Sequence, residues 1–425
     1  MTDAPSASGR PRSVAPGPPP FVEPPPGWEF LLTDQGLAAL AEATLELESG
    51  AAPDAVNRRL RTLGRAPEEA AALLTQAQLR ERARAKFGPL ASELLFTPAG
   101  LEQASRISVS RGHAARFSDA GCERVADLGC GIGTESIAML EQGIAPEAVE
   151  LDGFTARLAE HNLATVAARR GSRAPRVRTA DAVDVDLSGI DGAFLDPARR
   201  TAGHRETRRL SSPDDYSPSL DFAFGIGSRM PTGVKLGPGL DRDLIPGEAE
   251  AQWVSVDGHV VETALWFGAL ARPGIARAAL VHRGGAIHEM TASGDAPDVD
   301  VRSMGEYLYE PDGAVIRARL IGALAEHLGA GMMSAGIAYL TGDELIATPF
   351  AQTFRLLERL PVKEKALRRA LAARGIGTLE IKKRGADVDP AALRARLRLR
   401  GAEHATLLLT RDETGKHCAL LAERC

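Results

Sequence analysis

Apolar residues spaced three and four apart run through residues 28 to 96, in stretches such as LAALAEATLEL and AVNRRLRTLG, and predict a small helical domain. TPAG at 97–100 sets a threonine cap before a proline at the first helical position, which starts a further helix. From Arg124 to about Met290 the pattern changes to short apolar runs separated by helical stretches, the rhythm of a parallel sheet with crossover helices. Strands are predicted at 124–128, 147–151, 176–180, 192–195 and 232–236. The runs ARAALVH and AIHEMT, joined by RGG, predict a closing antiparallel hairpin.

Residues 305–345 read as a connecting region with one helix, VIRARLIGALAEHLG. After about Phe350 the alternation tightens, with helices predicted at 361–374 and 390–399 and strands at 377–382, 405–409 and 417–422. The expected order is a proline-rich leader over 1–27, a helical domain over 28–110, an α/β Rossmann-like domain over 111–300, a connector over 301–349 and a small α/β domain over 350–425.

Composition changes this picture little. With 425 residues, 44% of them hydrophobic and 25% charged, the chain has the size of two or three soluble domains. No apolar run is long enough to span a bilayer, so no membrane role is expected. Cys122, Cys130, Cys418 and Cys425 form no CxxC pair and the histidines show no ligand spacing, so neither a metal nor a disulfide framework is expected and a reducing, cytoplasmic setting fits. Charge matters more. Residues 351–400 hold 14 Lys and Arg against five Asp and Glu in a chain of net charge -5, the pattern of an acidic body carrying a separate anion-binding module.

The sharpest motif is VADLGCGIGTESIAML, where a strand ends at Asp127 and passes through Gly129, Gly131 and Gly133 into a helix near Thr134. Glycines allow a tight turn and a close approach of backbone to ligand, and a helix start offers unpaired amides. A tight turn alone would also explain them. Glu150, at the end of the second strand, is placed for a carboxylate to accept from two ribose hydroxyls, and Asp181, after the third, could reach an adenine amine. Together with the fourth-strand string GAFLDPARR, these residues make the segment 124–240 resemble a class I S-adenosylmethionine-dependent methyltransferase, whose loop is DxGxGxG rather than GxGxxG. The resemblance implies S-adenosylmethionine as cofactor and puts Asp127 near its amino group.

Asp196, Pro197, Ala198, Arg199 and Arg200 follow the fourth strand, at the carboxyl edge where open α/β sheets bind ligands. Enzymes that methylate amino groups of nucleic acids typically carry a second proline and an aromatic here; this chain has Ala198 and Arg199. DPAR is nearer the string of uridine-C5 methyltransferases, which need a late cysteine nucleophile. After Asp196 the only cysteines are Cys418 and Cys425, in the last domain, so that route is rejected. Asp196 is expected to orient or deprotonate the acceptor. Arg199 and Arg200 either meet a substrate phosphate or pair with PDDY at 213–216, and Lys235, ending the fifth strand, is either a substrate contact or a solvated lysine. The stretches KFG at 86–88 and EQASRISVSRGHAARF either cover the cofactor or simply pack the helical part on the sheet.

The last domain gathers Lys382, Lys383 and Arg384 at a strand end and Arg394, Arg396, Arg398 and Arg400 on a helix, where arginines two apart ring the helix rather than share one face. Residues 350–423, with LYEPDGAVIRA at 308–318, resemble the THUMP-like domain attached to a family of actinobacterial methyltransferases. THUMP relatives bind structured RNA, so the resemblance implies an RNA substrate, and the concentration of charge makes Lys382, Lys383, Arg384, Arg394 and Arg398 the candidate docking residues. No aromatic lies within 377–400, which favours a mode that reads shape and phosphate over base stacking. A small-molecule or protein methyltransferase, or a noncatalytic RNA-binding protein that keeps its cofactor, stays open.

Overall fold

The computed structural model describes residues 24–199 and 216–425. The leader up to residue 23, Arg200 and residues 213–215 of the PDDY stretch lie outside them. The chain forms two compact units, one ending at Leu195 and one running from Asp196 to Cys425.

The first unit opens with α1 (Trp28–Leu31), α2 (Asp34–Glu48), α3 (Pro53–Thr62) and α4 (Pro67–Phe87). Their starts are written locally. The Thr33 hydroxyl accepts from Gly36 N at 3.0 Å, the Glu69 carboxylate accepts from Ala66 N at 3.1 Å, and prolines open α3 and α4 where no amide partner is needed. Next come α5 (Pro98–Gln103) and α6 (Ile107–Asp119), then β1 (Arg124–Leu128), α7 (Thr134–Glu141), β2 (Ala145–Glu150), α8 (Gly153–Arg170), β3 (Val177–Thr179) and β4 (Gly192–Leu195). These four strands are parallel in the order β4-β1-β2-β3. Four of the five β1 residues are buried, as a strand covered on both faces requires. Leu128 is level with Val149 and Leu195, so the three strands finish along one edge.

The second unit starts with a short antiparallel pair, β5 (Ala198–Arg199) and β6 (Tyr216–Ser217), followed by α9 (Leu220–Gly227). Then come β7 (Thr232–Leu236), β8 (Glu250–Val256), β9 (His259–Phe267), β10 (Arg277–Arg283) and β11 (Ala286–Ala292), in the order β7-β9-β8-β10-β11. The β10–β11 hairpin turns at Gly284 and Gly285. The β8–β9 hairpin is an addition to the expected strands. It turns at Asp257 and Gly258, φ 49° and 81°, the Asp-Gly chemistry of a type I′ turn, and that dipeptide between apolar runs was a legible signal.

Residues 301–349 are not a connector. They supply β12 (Tyr307–Pro311), β13 (Gly331–Ser334) and β14 (Ile337–Gly342) to one seven-stranded sheet with β15 (Ala351–Leu360), β16 (Ile376–Lys383), β17 (Glu403–Arg411) and β18 (His417–Arg424), in the order β13-β14-β12-β15-β18-β17-β16. The helix expected through VIRARLIGALAEHLG is two, α10 (Gly313–Arg317) and α11 (Ile321–His327). Arg319 breaks it at φ 59°, and its carbonyl accepts from Ala296 N at 2.9 Å. In LYEPDGAVIRA the role of the acid is structural: Asp312 is buried, caps Ala314 N at 2.9 Å and meets Arg283 at 3.4 Å.

Two further helices, α12 (Glu364–Ala373) and α13 (Pro390–Leu397), contribute Leu367, Leu371, Leu393 and Leu397 to a core with Leu379, Ile381, Leu407 and Leu421 of the sheet. A second core holds Leu308, Tyr339, Phe354, Leu408 and Leu420. The sheet curls, because Lys382 and Arg384 near one end of the strand order reach Glu310 and Tyr339 near the other.

Candidate functional site

Strand β1 delivers Asp127 to the mouth of the glycine turn, where it is 2% exposed. Its carboxylate accepts from Ser136 N at 3.0 Å and from the Ser136 hydroxyl at 2.6 Å, so it caps the first turn of α7. The carboxylate thereby anchors the helix that follows the loop. Gly129, Gly131 and Gly133 all have positive φ, 88°, 55° and 89°. A side chain at any of them would be strained. At Gly129 and Gly131 an added Cβ would meet no atom within 4 Å, so the strain comes from the backbone and the space beyond is open; at Gly133 it would touch Ala159 and Leu163 of α8.

Glu150 leaves the end of β2 half-buried and is gripped by two amides, Gly131 N and Asp152 N, each at 2.9 Å. Burial pushes its carboxyl above the usual 4.5, and the two backbone bonds oppose that push without cancelling it. Asp181, after β3, accepts from Val183 N at 3.1 Å and caps a short 3-10 turn, Ala182–Asp184. The fold thus sets Asp127, the three glycines, Glu150 and Asp181 at the carboxyl ends of adjacent parallel strands. The thiol of Cys130, inside the loop, is held well above its usual range by burial.

Sequence reading missed the residues that brace this loop. The buried Asn162 of α8 accepts from Leu95 N at 2.7 Å and donates to Leu95 O at 2.9 Å and Ile132 O at 3.0 Å. It ties the glycine turn to the chain entering α5. Gln76 of α4 pairs in the same way with both backbone groups of Phe96, and Arg80 donates to Leu94 O at 2.9 Å. Three side chains therefore satisfy a buried stretch that pairs with no strand among the described residues. No spacing rule marks an asparagine inside a helix for such work. Of KFG, Lys86 donates to the carbonyls of Leu101, Glu102 and Ala104 at the end of α5, and a Cβ on Gly100 would lie 2.6 Å from Ile132 Cγ2. Helix α5 thus lies directly on the loop. In α6, Ser110 and His113 both meet the buried Glu135 of α7, at 2.7 and 3.1 Å.

In the second unit the structure brings Asp196 and Lys235 together. Asp196 is the residue after β4, Lys235 lies on β7, and the two form an ion pair with Asp196 the more exposed partner. A solvated lysine does not describe Lys235, which is 9% exposed. Pro197 is buried, and Arg199 sits in β5 opposite Tyr216, a buried aromatic that no motif announced. Cys418 is buried and its thiol is pushed up to about 11, which makes it a poor nucleophile.

The cations chosen from the C-terminal sequence divide. Lys382 bonds Glu310 at 2.5 Å and sits 5.5 Å over the Phe354 ring, and the Arg384 guanidinium lies 5.5 Å over the Tyr339 ring. Both brace the curled sheet. Lys383, Arg394 and Arg398 are exposed, with Arg394 Nε donating to Leu379 O at 2.9 Å and Arg398 ending α13 in a left-handed conformation. Among the described residues no cluster of three His, Cys, Asp or Glu could hold a metal, and no helix is long and apolar enough to cross a membrane.

A glycine-rich turn after β1 and acids after β2 and β3 of a parallel sheet define the Rossmann-like class of cofactor-binding folds. Comparison with known proteins narrows it. The chain is 34% identical over 361 residues to an uncharacterized S-adenosylmethionine-dependent methyltransferase of Mycobacterium tuberculosis, in strain CDC 1551 / Oshkosh and equally in strain H37Rv, covering 83% of this chain and 96% of the relative. It belongs to that family and is an S-adenosylmethionine-dependent methyltransferase. The THUMP domain-like family matches residues 351–424, and a domain of unknown function, DUF8688, matches residues 26–83. The crystal structure of a protein from Porphyromonas gingivalis W83, provisionally described as a methyltransferase, superposes with a TM-score of 0.69 at 22% identity, covering 93% of this chain and 99% of that one, and shows the same fold.

Proposed function

We propose that this cytoplasmic enzyme methylates structured RNA, transfer or ribosomal, and that its C-terminal domain docks the RNA. The THUMP domain-like match over residues 351–424 carries the reading, and the exposed Lys383, Arg394 and Arg398 of that domain supply charge for phosphates.

The residues of the first unit suit the cofactor. Glycines in left-handed conformation border open space at 129 and 131, and Glu150 is held by amides with its carboxylate at the end of a strand. In this reading Gly129, Gly131 and Gly133 let the backbone approach the cofactor, Glu150 takes the ribose hydroxyls and Asp181 the adenine amine. Asp127 sets the position of α7 through Oδ2 and meets the cofactor amino group directly or through water. S-adenosylmethionine supplies an activated methyl on a positively charged sulfur, so the protein has mainly to position the acceptor. Asp196 accepts a hydrogen bond or proton from the acceptor, Lys235 fixes that carboxylate's orientation through their ion pair, and Pro197 stiffens the turn that follows β4. Arg199 is assigned to a substrate phosphate. The docking set is revised to Lys383, Arg394 and Arg398, since Lys382 and Arg384 brace the sheet.

The test is nucleoside mass analysis of transfer and ribosomal RNA from a strain lacking the protein, beside its parent and a strain restored with the Asp196→Ala variant. One methylated nucleoside should vanish and return only with the unaltered protein. An unchanged profile in every RNA fraction would end the RNA reading.

A further inference from the structure

The arginine concentration of the C-terminal domain has a counterpart in the first unit that the function so far leaves unused. Residues 168–180, ARRGSRAPRVRTA, contain five arginines and no acid. Arg169 is paired with Glu93 at 2.9 Å. The other four, Arg170, Arg173, Arg176 and Arg178, are all exposed and all line one open cleft of about 850 Å³. Its floor is apolar, from Ile144 and Pro146 at the start of β2.

Local structure accounts for only part of this. Arg170 ends α8, where a cation is favoured by the helix dipole. Arg173, Arg176 and Arg178 lie beyond that helix. Arg176 and Arg178 alternate with the half-buried Pro175 and Val177, so both are turned to solvent at the start of β3. The acid in the cleft wall, Glu147, is itself bonded to Arg124 at 3.2 Å. Asp186 interacts electrostatically with Arg178, but its carboxylate already accepts from Ser188 N and the Ser188 hydroxyl, at 3.0 and 2.7 Å. Four guanidinium groups around one cleft repel one another, and an anion with several phosphates relieves that repulsion while using their planar, bidentate donors.

Position selects the anion. The cleft opens at the amino ends of β2 and β3, and β3 is the last strand in the order. The cofactor residues Gly129, Glu150 and Asp181 stand at the carboxyl ends of the same strands. A small substrate held at the amino ends would be a strand length from the methyl group, whereas a folded RNA is large enough to lie across both edges.

We infer that Arg170, Arg173, Arg176 and Arg178 form a second RNA-backbone surface, binding phosphates of the substrate at the sheet edge opposite the cofactor. This rests on the RNA reading above. The two are separable by binding of fluorescently labelled bulk bacterial transfer RNA and ribosomal RNA to the full chain in a potassium chloride titration. The Arg170→Ala/Arg173→Ala/Arg176→Ala/Arg178→Ala variant should bind at least one of these RNAs roughly tenfold more weakly. Its log-log salt slope should flatten by about 0.7 to 0.9 for each phosphate that is no longer neutralised. The Arg173→Glu/Arg176→Glu variant should bind more weakly still than its alanine counterpart. Calorimetric uptake of S-adenosylhomocysteine should be unchanged in all of them, which shows the unit is folded. Wild-type protein that binds RNA while the quadruple variant binds it with the same affinity and slope would overturn the cleft alone, as would an effect confined to inorganic tripolyphosphate. Wild-type protein that binds neither RNA would overturn the RNA reading and the cleft with it.

Discussion

The carboxylates of the first unit and the cations of the C-terminal sheet stand out in the sequence for similar reasons, yet the fold treats them differently. Asp127, Glu150 and Asp181 each sit on a short stem at a strand end, held by a backbone amide two to nine residues away or by one in the neighbouring turn. Lys382 and Arg384 sit on long stems and reach across a curled sheet to Glu310 and Tyr339, more than forty residues away in the chain. A short acid on a rigid turn stays where the backbone puts it. A long cation goes to whatever partner the tertiary fold offers, so charge counted along a sequence overstates the charge left for a ligand.

Experiments can break this contrast, beginning with the largest effect. Asp196→Ala should lower methyl transfer to RNA from the deletion strain by on the order of 10²- to 10⁴-fold, the usual worth of a group that handles the acceptor proton. Calorimetric affinity for S-adenosylhomocysteine should stay within about twofold; a fully active variant would remove Asp196 from the reaction.

Gly131→Ala should come next. A φ of 55° costs an L-residue about 1–2 kcal/mol, and the folded chain bears that strain with or without cofactor, so folding stability should fall by about that amount in chemical denaturation even though the added methyl meets no atom.

Glu150 gives a smaller effect with a definite sign. Because burial raises its carboxyl above 4.5, the folded protein holds that proton more tightly than the unfolded chain, and stability falls as pH rises through the window above 4.5. Cofactor affinity should move the opposite way. In the proposed assignment the ribose hydroxyls donate to the ionised form, so affinity should rise with pH through that window, and Glu150→Gln should bind several-fold more weakly at neutral pH with a flat profile. A wild-type profile that is equally flat would place the ribose elsewhere.

The smallest effects separate the two kinds of cation. The triple variant Lys383→Ala/Arg394→Ala/Arg398→Ala should weaken RNA binding several-fold at low salt with little change in melting temperature. Lys382→Ala should do the reverse, lowering the melting temperature by a few degrees because Glu310 loses its cationic partner and keeps only the Tyr339 hydroxyl, with RNA affinity nearly unchanged. If Lys382→Ala loses RNA affinity as strongly as the triple variant, the two kinds of cation are one.

Much of the cofactor half was legible in the chain. The edges of β1, β4 and β7, the three glycines and the strand-end acids follow from local patterns, since a turn with positive φ and a strand with both faces covered are each specified within a few residues. Local rules failed where distant segments meet. VIRARLIGALAEHLG has a helical period throughout, but Arg319 breaks it because Ala296 binds its carbonyl and Gly322 packs against Pro297, too close for a side chain. Asn162 and Gln76 look like ordinary polar residues of helices, and only the packed unit shows them completing the buried backbone of Leu95 and Phe96.

From its amino-acid order alone this protein has a glycine turn, three acids at strand ends and a basic tail region, because backbone conformation and charge are properties of neighbours in the chain. Tertiary structure alone decided that Lys235 meets Asp196, that residues 301–349 belong to the last sheet, and which of the basic side chains still face solvent. Those outcomes depend on which long side chains and strand edges come within bonding distance, and that distance is set by the packing of segments far apart in the sequence.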